Sequence, residues 1–327
     1  MRYILVMLFR FAHEVYVLSP GQITHDKTGA QPNVWHVLTT GHNLRTLILF
    51  SILTAASLCL ALWLKSKQPF QKIGRLIDKA TPIAPDVIRI AFGLSLIVSA
   101  TKHSLFGPEL PLDSFPPAGL IRPGLLILGV ALTLGVFTRY FGLLAIGLWL
   151  FALASKGWYI LTYANYLGEA IAVVLLPVQT ISLDHLITRI RRVKLKRPRY
   201  NKYSMPAARL LFGFSLLYAA INVKFVTPAL SLDVVNHYHL THYFPFDPLF
   251  VVLGAGLVEC MIAVLYMLGL LQRLNTILFL SFLTLSLLYF KESVWPHYLL
   301  IALGLGIFLH KPDVLALDGR LFKKTRR

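Results

Sequence analysis

Arg89-Ile-Ala-Phe-Gly93-Leu-Ser95-Leu-Ile-Val-Ser-Ala100 and Arg209-Leu-Leu-Phe-Gly213-Phe-Ser215-Leu-Leu-Tyr-Ala-Ala220 are two versions of one pattern. Arg, Phe, Gly, Ser, Leu and Ala recur at a constant offset, and each stretch runs on to a proline, Pro108 or Pro228. With small gaps the match continues. Pro123 and Gly129 answer Pro248 and Gly254, Gly135 and Arg139 answer Gly269 and Arg273, and Leu183-Asp184 answers Leu317-Asp318. A self-match of this length is an internal repeat, so whatever fold the first copy takes, the second repeats it.

Composition says where that fold sits. Of 327 residues, 56% are hydrophobic and only 14% are charged, well outside the balance of a soluble domain. Apolar runs long enough to cross a bilayer recur, and in lipid a backbone must satisfy itself, which for such runs means helices. The fold class is therefore all-α, a polytopic membrane protein of about nine transmembrane helices: one leading span, then two tandem four-helix bundles. The net charge of +18 sits in loops between spans, which membrane orientation explains without nucleic acid as a partner. Cys59 and Cys260 lie far apart in apolar runs with no CxxC, which argues against thiol redox chemistry and a cysteine metal site.

In chain order, residues 1–12 read as a short signal peptide cut after Ala12, and 13–44 as a polar, histidine-containing extracytoplasmic segment. The first span and a basic loop occupy 45–84, and the first copy 85–187. A basic linker covers 188–204, the second copy 205–321 and a basic tail 322–327. Placing 13–44 outside puts Lys65–Lys79, the linker and the tail on the cytoplasmic side, as the positive-inside rule requires. The N-terminal segment is then outside and the C-terminus in the cytoplasm. Because each copy has an even number of spans, the copies enter the membrane in the same sense, as parallel repeats. Trp158, Tyr159, Tyr163, Trp295 and Tyr298 fall at span ends and read as interfacial anchors.

Three features carry the Arg-x-x-x-Gly helix opening further. A lysine lies near its outer end (Lys102, Lys224), a Gly-x-x-x-Arg turn follows (Gly135 to Arg139, Gly269 to Arg273), and Leu257-Val258-Glu259 precedes the second turn. On these motifs each copy, over roughly 85–187 and 205–321, resembles the DoxX/DoxD family of small four-helix proteins of bacterial and archaeal cell membranes. The resemblance implies a membrane subunit of a quinone-linked redox system, with a partner subunit, acting at the extracytoplasmic face.

Intramembrane acids are functional candidates by default, since burying one in lipid is costly. Glu259 lies midway along its span and matches the family's helix-two acid, where it could relay a proton to quinone or bridge to Asn222 or Lys224. Glu169, after Asn165 and Gly168, is the second candidate; the bland reading of both is a hydrogen bond that holds the bundle. Arg209, with Asn222 and Lys224, is a candidate for holding a cofactor. Arg89, Arg139, Arg209 and Arg273 otherwise read as side chains reaching to lipid phosphate.

The cluster His237-Tyr-His239-Leu-Thr-His242 in the outer loop of the second copy has the residue type and density to hold copper, zinc, iron or nickel, and a mature N-terminal His13 would add a chelating pair. The bland reading is that histidines favour the membrane–water interface. Three function classes follow: a quinone-linked redox subunit, a transition-metal (copper-type) binding or handling protein, and a non-catalytic scaffold or carrier of a lipid-like ligand.

Overall fold

The computed structural model describes residues 31–176, 180–191, 199–291 and 294–322. The expected signal peptide and His13 lie outside the described residues, as does much of the expected outer segment. Within them the chain is helical, with one isolated bridge between Ser104 and Pro111. After a 3-10 turn at Val34–Thr39 come α1 (Gly41–Lys65) and the short α2 (Gln68–Asp78). The first copy then gives α3 (Ala84–Thr101), α4 (Ala118–Leu134), α5 (Thr138–Lys156), α6 (Ala164–Leu175) and the short α7 (Leu183–Ile190). The second gives α8 (Ser204–Ala220), α9 (Ala229–His237), α10 (Pro248–Leu268), α11 (Gln272–Phe290), α12 (Trp295–Leu309) and α13 (Leu317–Leu321).

Among the described residues six helical runs are long and apolar enough to cross a membrane: Gly41–Lys65, Ala84–Thr101, Thr138–Leu175, Tyr200–Val226, Pro248–Leu268 and Gln272–Phe290. The difference from the expected nine has two physical sources. Thr138–Leu175 is one run because a 3-10 stretch, Gly157–Tyr163, joins α5 to α6 without a break. The apolar helices α4 and α12 are 17 and 15 residues long, about 26 and 22 Å, short of the ~30 Å hydrocarbon core.

The repeated sequence builds the same joint twice. Arg89 and Arg209, at 0% and 1% exposure, reach across to the last carbonyls of their neighbouring helices. The Arg89 guanidinium donates to the carbonyls of Leu132, Thr133 and Ile181, and to Asp86 Oδ1 at 3.3 Å. Arg209 donates to the carbonyls of Tyr266 and Met267 at 2.5 and 2.7 Å, and through Nε and Nη2 to Asp313 at 2.7 and 3.2 Å. These carbonyls are the ones a helix end leaves without intrahelical partners. Each helix stops at a left-handed glycine, Gly135 at φ +72° or Gly269 at φ +64°, a conformation open to residues without Cβ. Asp184 and Asp318 close the joints. Their amides donate to the glycine carbonyls at 3.0 Å, and their carboxylates accept from the first amides of α5 and α11.

One turn after each arginine sits the repeated glycine. A Cβ on Gly93 would lie 2.4 Å from Thr133 Oγ1, and one on Gly213 would lie 2.7 Å from Met267 Cγ, so α3 meets α4, and α8 meets α10, backbone to backbone. The duplicated pattern is thus a packing and capping unit. The expectation that Arg89 and Arg209 reach lipid phosphate is corrected: both are buried in protein. Arg273 is also committed, to Asp78 Oδ1 at 2.7 Å and to the Gly74 carbonyl at 2.9 Å, tying α2 to the second copy, whereas Arg139 is exposed.

The copies are joined rather than merely adjacent. The first helix of each packs on the second helix of its own copy and on the last apolar helix of the other: α3 against α4 and α12, α8 against α10 and α6. α1 stands at the edge, touching the Val34–Thr39 turn and α2, with Lys65 Nζ 2.5 Å from Asp318 Oδ1. Both joints, α2 and α7 therefore share one end of the molecule.

Candidate functional site

α6 lies between the two first helices, and its polar residues take partners from both. Tyr166 and Ser95 of α3 share a hydrogen bond of 2.6 Å between hydroxyls, and Tyr166 Oη also donates to the Phe106 carbonyl at 2.9 Å. Ser215 of α8, the repeat counterpart of Ser95, donates to the Thr162 carbonyl and lies 3.2 Å from Asn165 Oδ1. The two motif serines therefore converge on one helix. Ala207, Ala208 and Leu211 of α8 close over Gly168, which leaves no room for solvent there.

One residue further along, Glu169 is 0% exposed, and neither carboxyl oxygen has a hydrogen-bond partner among the described residues. Asn165, one turn back, is the polar side chain that approaches it. A buried carboxyl with only one amide side chain near it costs several kcal/mol or more if ionised. Such a group either carries its own proton or waits for a partner from elsewhere.

Glu169 has no counterpart acid. Counting back from Asp318 as Glu169 counts back from Asp184, the second copy places Leu303 there, itself fully buried. The packing of the fold is thus met by a leucine at this position. Two turns earlier on α12, Trp295 Nε1 donates to Ser99 Oγ at 2.9 Å, and the buried His297 stands at the position that Tyr163 has in the first copy.

Above Tyr166, toward the end opposite the joints, the loop after α3 folds over α6. Glu109, 7% exposed, accepts from Tyr159 Oη at 2.8 Å and from Tyr163 Oη. Phe106 at φ +62° and His103 at φ +53° are left-handed non-glycine residues that bend this loop inward. Tyr163 is 5% and Tyr166 2% exposed. Tyr163 is therefore a core residue and not the interfacial anchor expected from its place near a span end; Trp158, at 75%, and Tyr298, at 55%, have the exposure such anchors need.

The other sequence candidates are placed less suggestively. Glu259 is half-buried on α10, where the preceding turn, at Gly256, packs on Lys224 and Phe225. Asn222 and Lys224 sit in a π-helical turn, Ile221–Val226, that ends α8, a type of bulge frequent at functional sites. Asn222 Nδ2 donates to the Tyr218 carbonyl at 2.9 Å, and Lys224 Nζ to Ser231 Oγ at 3.4 Å. Arg209, a candidate cofactor ligand, spends its donors on the joint described above.

The histidine cluster does not assemble. His239 and His242 line one open hollow with Tyr238, Thr241 and Tyr243, while His237 turns its ring edge-on to Tyr238. Among the described residues no three His, Cys, Asp or Glu side chains come together as a metal-holding group. The break lies in the backbone. His237 ends α9 and His239 takes a left-handed φ of +48°, which separates His237 from the hollow that His239 and His242 share.

Sequence reasoning missed Glu109, Tyr163, Tyr166, Ser95 and Ser215 as parts of a site. The available signal was the spacing Tyr163, Tyr166, Glu169, which places three polar side chains along one helical stripe. The chain matches no family model, no curated protein and no solved structure, so the reading of this site rests on its geometry.

Proposed function

We propose that this chain is a proton-handling membrane subunit of a quinone-linked redox system, with Glu169 as the group that takes and gives the proton. The observation that supports it is the fully buried Glu169 carboxyl, whose oxygens have no hydrogen-bond partner of ordinary geometry among the described residues, at a place where the other copy is satisfied with leucine. Reduction of a quinone consumes two electrons and two protons, and a carboxyl inside the bilayer can deliver a proton where water does not reach. The electrons would come from a substrate met at the extracytoplasmic face by a partner subunit, as the DoxX/DoxD resemblance implies. In this proposal nine helices cross the membrane, α4 and α12 among them. The joint end faces the cytoplasm, where Lys72, Arg75, Lys79 and Arg189 lie, and Glu109 faces outward.

This moves the proton-handling role from Glu259, on the second copy, to Glu169 on the first. The test is an infrared difference spectrum of the purified protein with a short-chain benzoquinone, recorded before and after dithionite reduction. A protonated-carboxyl band that changes on reduction and is missing in Glu169→Gln supports the reading. A wild-type spectrum with no carboxyl change on reduction, matching that of Glu169→Gln, refutes it.

A further inference from the structure

Resting on that reading of Glu169, we propose that the first copy contains a proton route to it from the end opposite the joints, entering at Glu109 and passing along the hydroxyls of Tyr163 and Tyr166.

The elements are in order along one stripe. Tyr163 closes the 3-10 stretch before α6, and Tyr166 and Glu169 follow at successive spacings of three, so each Cα lies about 4.5 Å further along the axis than the last. Glu109 marks the entrance. It is the buried acid of the loop that covers this end (Asp113, the other, is exposed), and its carboxyl accepts a hydrogen bond from Tyr163 Oη. The next link is made by the loop backbone. A Cβ on Gly107 would fall on Tyr163 Oη and lie 2.7 Å from Glu109 Oε2, while the preceding carbonyl, of Phe106, accepts from Tyr166 Oη at 2.9 Å. The two hydroxyls therefore flank a single peptide unit, with their rings packed at a centroid distance of 5.9 Å. Tyr166 Oη also meets Ser95 Oγ at 2.6 Å, and Glu169 is one turn below it on the same helix.

Each of these groups could be apolar if packing were the only demand. Phenylalanine fills the volume of a buried tyrosine without a hydroxyl that needs satisfying, and leucine stands where Glu169 would be in the other copy. A buried row of hydroxyls leading down one helix toward a buried acid that has no hydrogen-bond partner of ordinary geometry among the described residues is instead what proton movement needs. Each hydroxyl is both donor and acceptor and can turn about its C–O bond. One proton enters from water onto the Glu109 carboxylate, which passes it to Tyr163 Oη once that hydroxyl has turned away, and Glu109 is a carboxylate again. Each tyrosine accepts one proton and releases another, and ends unchanged. The proton that arrives forms an O–H bond on the Glu169 carboxylate, so charge and atoms balance.

The experiment is hydrogen–deuterium exchange of the Glu169 carboxyl in the full-length protein in lipid nanodiscs, read from the downshift of its infrared C=O band after dilution into D2O. The band is assigned by its loss in Glu169→Gln. Tyr163→Phe and Tyr166→Phe are expected to slow the downshift by at least about tenfold. Tyr159→Phe, which also bonds Glu109 but lies off the stripe, is expected to leave it unchanged. Exchange at the wild-type rate in both route variants overturns the proposal, as does equal slowing in Tyr159→Phe, which would indicate a general tightening of the loop. A missing carboxyl band in the wild type would instead sink the reading of Glu169 itself. The thermal unfolding midpoint of each variant separates a slowed route from a misfolded protein.

Discussion

Removing the guanidinium of Arg209 tests whether the repeated arginine is the bolt of each joint. Arg209 and Asp313 are 1% and 4% exposed at the side chain, so their ion pair is not screened by solvent. Arg209→Met leaves Asp313 buried and unpaired, which costs about 3–5 kcal/mol. It also strips the Tyr266 and Met267 carbonyls of their shared donor, adding about 1–3 kcal/mol for each acceptor left unsatisfied. These terms overlap, and a loss of about 4–6 kcal/mol is expected, enough to exhaust much of a typical folding stability. Reversible unfolding in mixed micelles, followed by circular dichroism, gives the number. Arg209→Met/Asp313→Asn should recover part of the loss, because the orphaned charge is gone while the carbonyls remain bare. The internal comparison is Arg273, whose contact with Asp78 is 23% and 20% exposed. That pair, as an ion pair, is worth about 0–1 kcal/mol, and Asp78→Asn should cost no more than this. If Arg209→Met costs no more than Asp78→Asn, or if the double variant recovers nothing, the argument from burial fails.

Two further outcomes follow from the joint end and the histidine loop. Burial pushes the His310 imidazole below its ordinary value of 6.5, so the unfolded chain binds more protons in the window below that value. Stability should therefore rise with pH through that window and level off above it. His310→Gln should flatten the rise in a pH series of unfolding midpoints, and an unchanged slope would contradict it. At the other end of the molecule, the separation of His237 from His239 and His242 predicts that the triple alanine variant retains the wild type's zinc and copper affinity in calorimetric titrations. A stoichiometric site lost in the variant would show that the loop rearranges around a metal.

The sequence by itself determined the membrane, the helical class and the duplication. Hydropathy has a length requirement set by the bilayer, and a helical spacing repeated at a fixed offset needs no coordinates to be seen. It also marked the joints, since Arg, Gly and Asp recur in both copies. What it could not show is that Arg89 and Arg209 turn inward to cap a neighbouring helix. An arginine near a span end has the same sequence context whether it reaches lipid phosphate or a carbonyl. The acid partners are not part of the repeat either. Asp86 lies on the same helix as Arg89, whereas Asp313 is far along the chain from Arg209. Choosing between Glu169 and Glu259 likewise needed the tertiary structure. Both are acids in apolar runs, but only packing decides that α6 is enclosed by the first helices of both copies while α10 leaves Glu259 half-buried. The histidine cluster was beyond the sequence for the complementary reason. Sequence spacing gives proximity along the chain, and whether three imidazoles converge depends on backbone angles, here the end of α9 and the left-handed turn at His239.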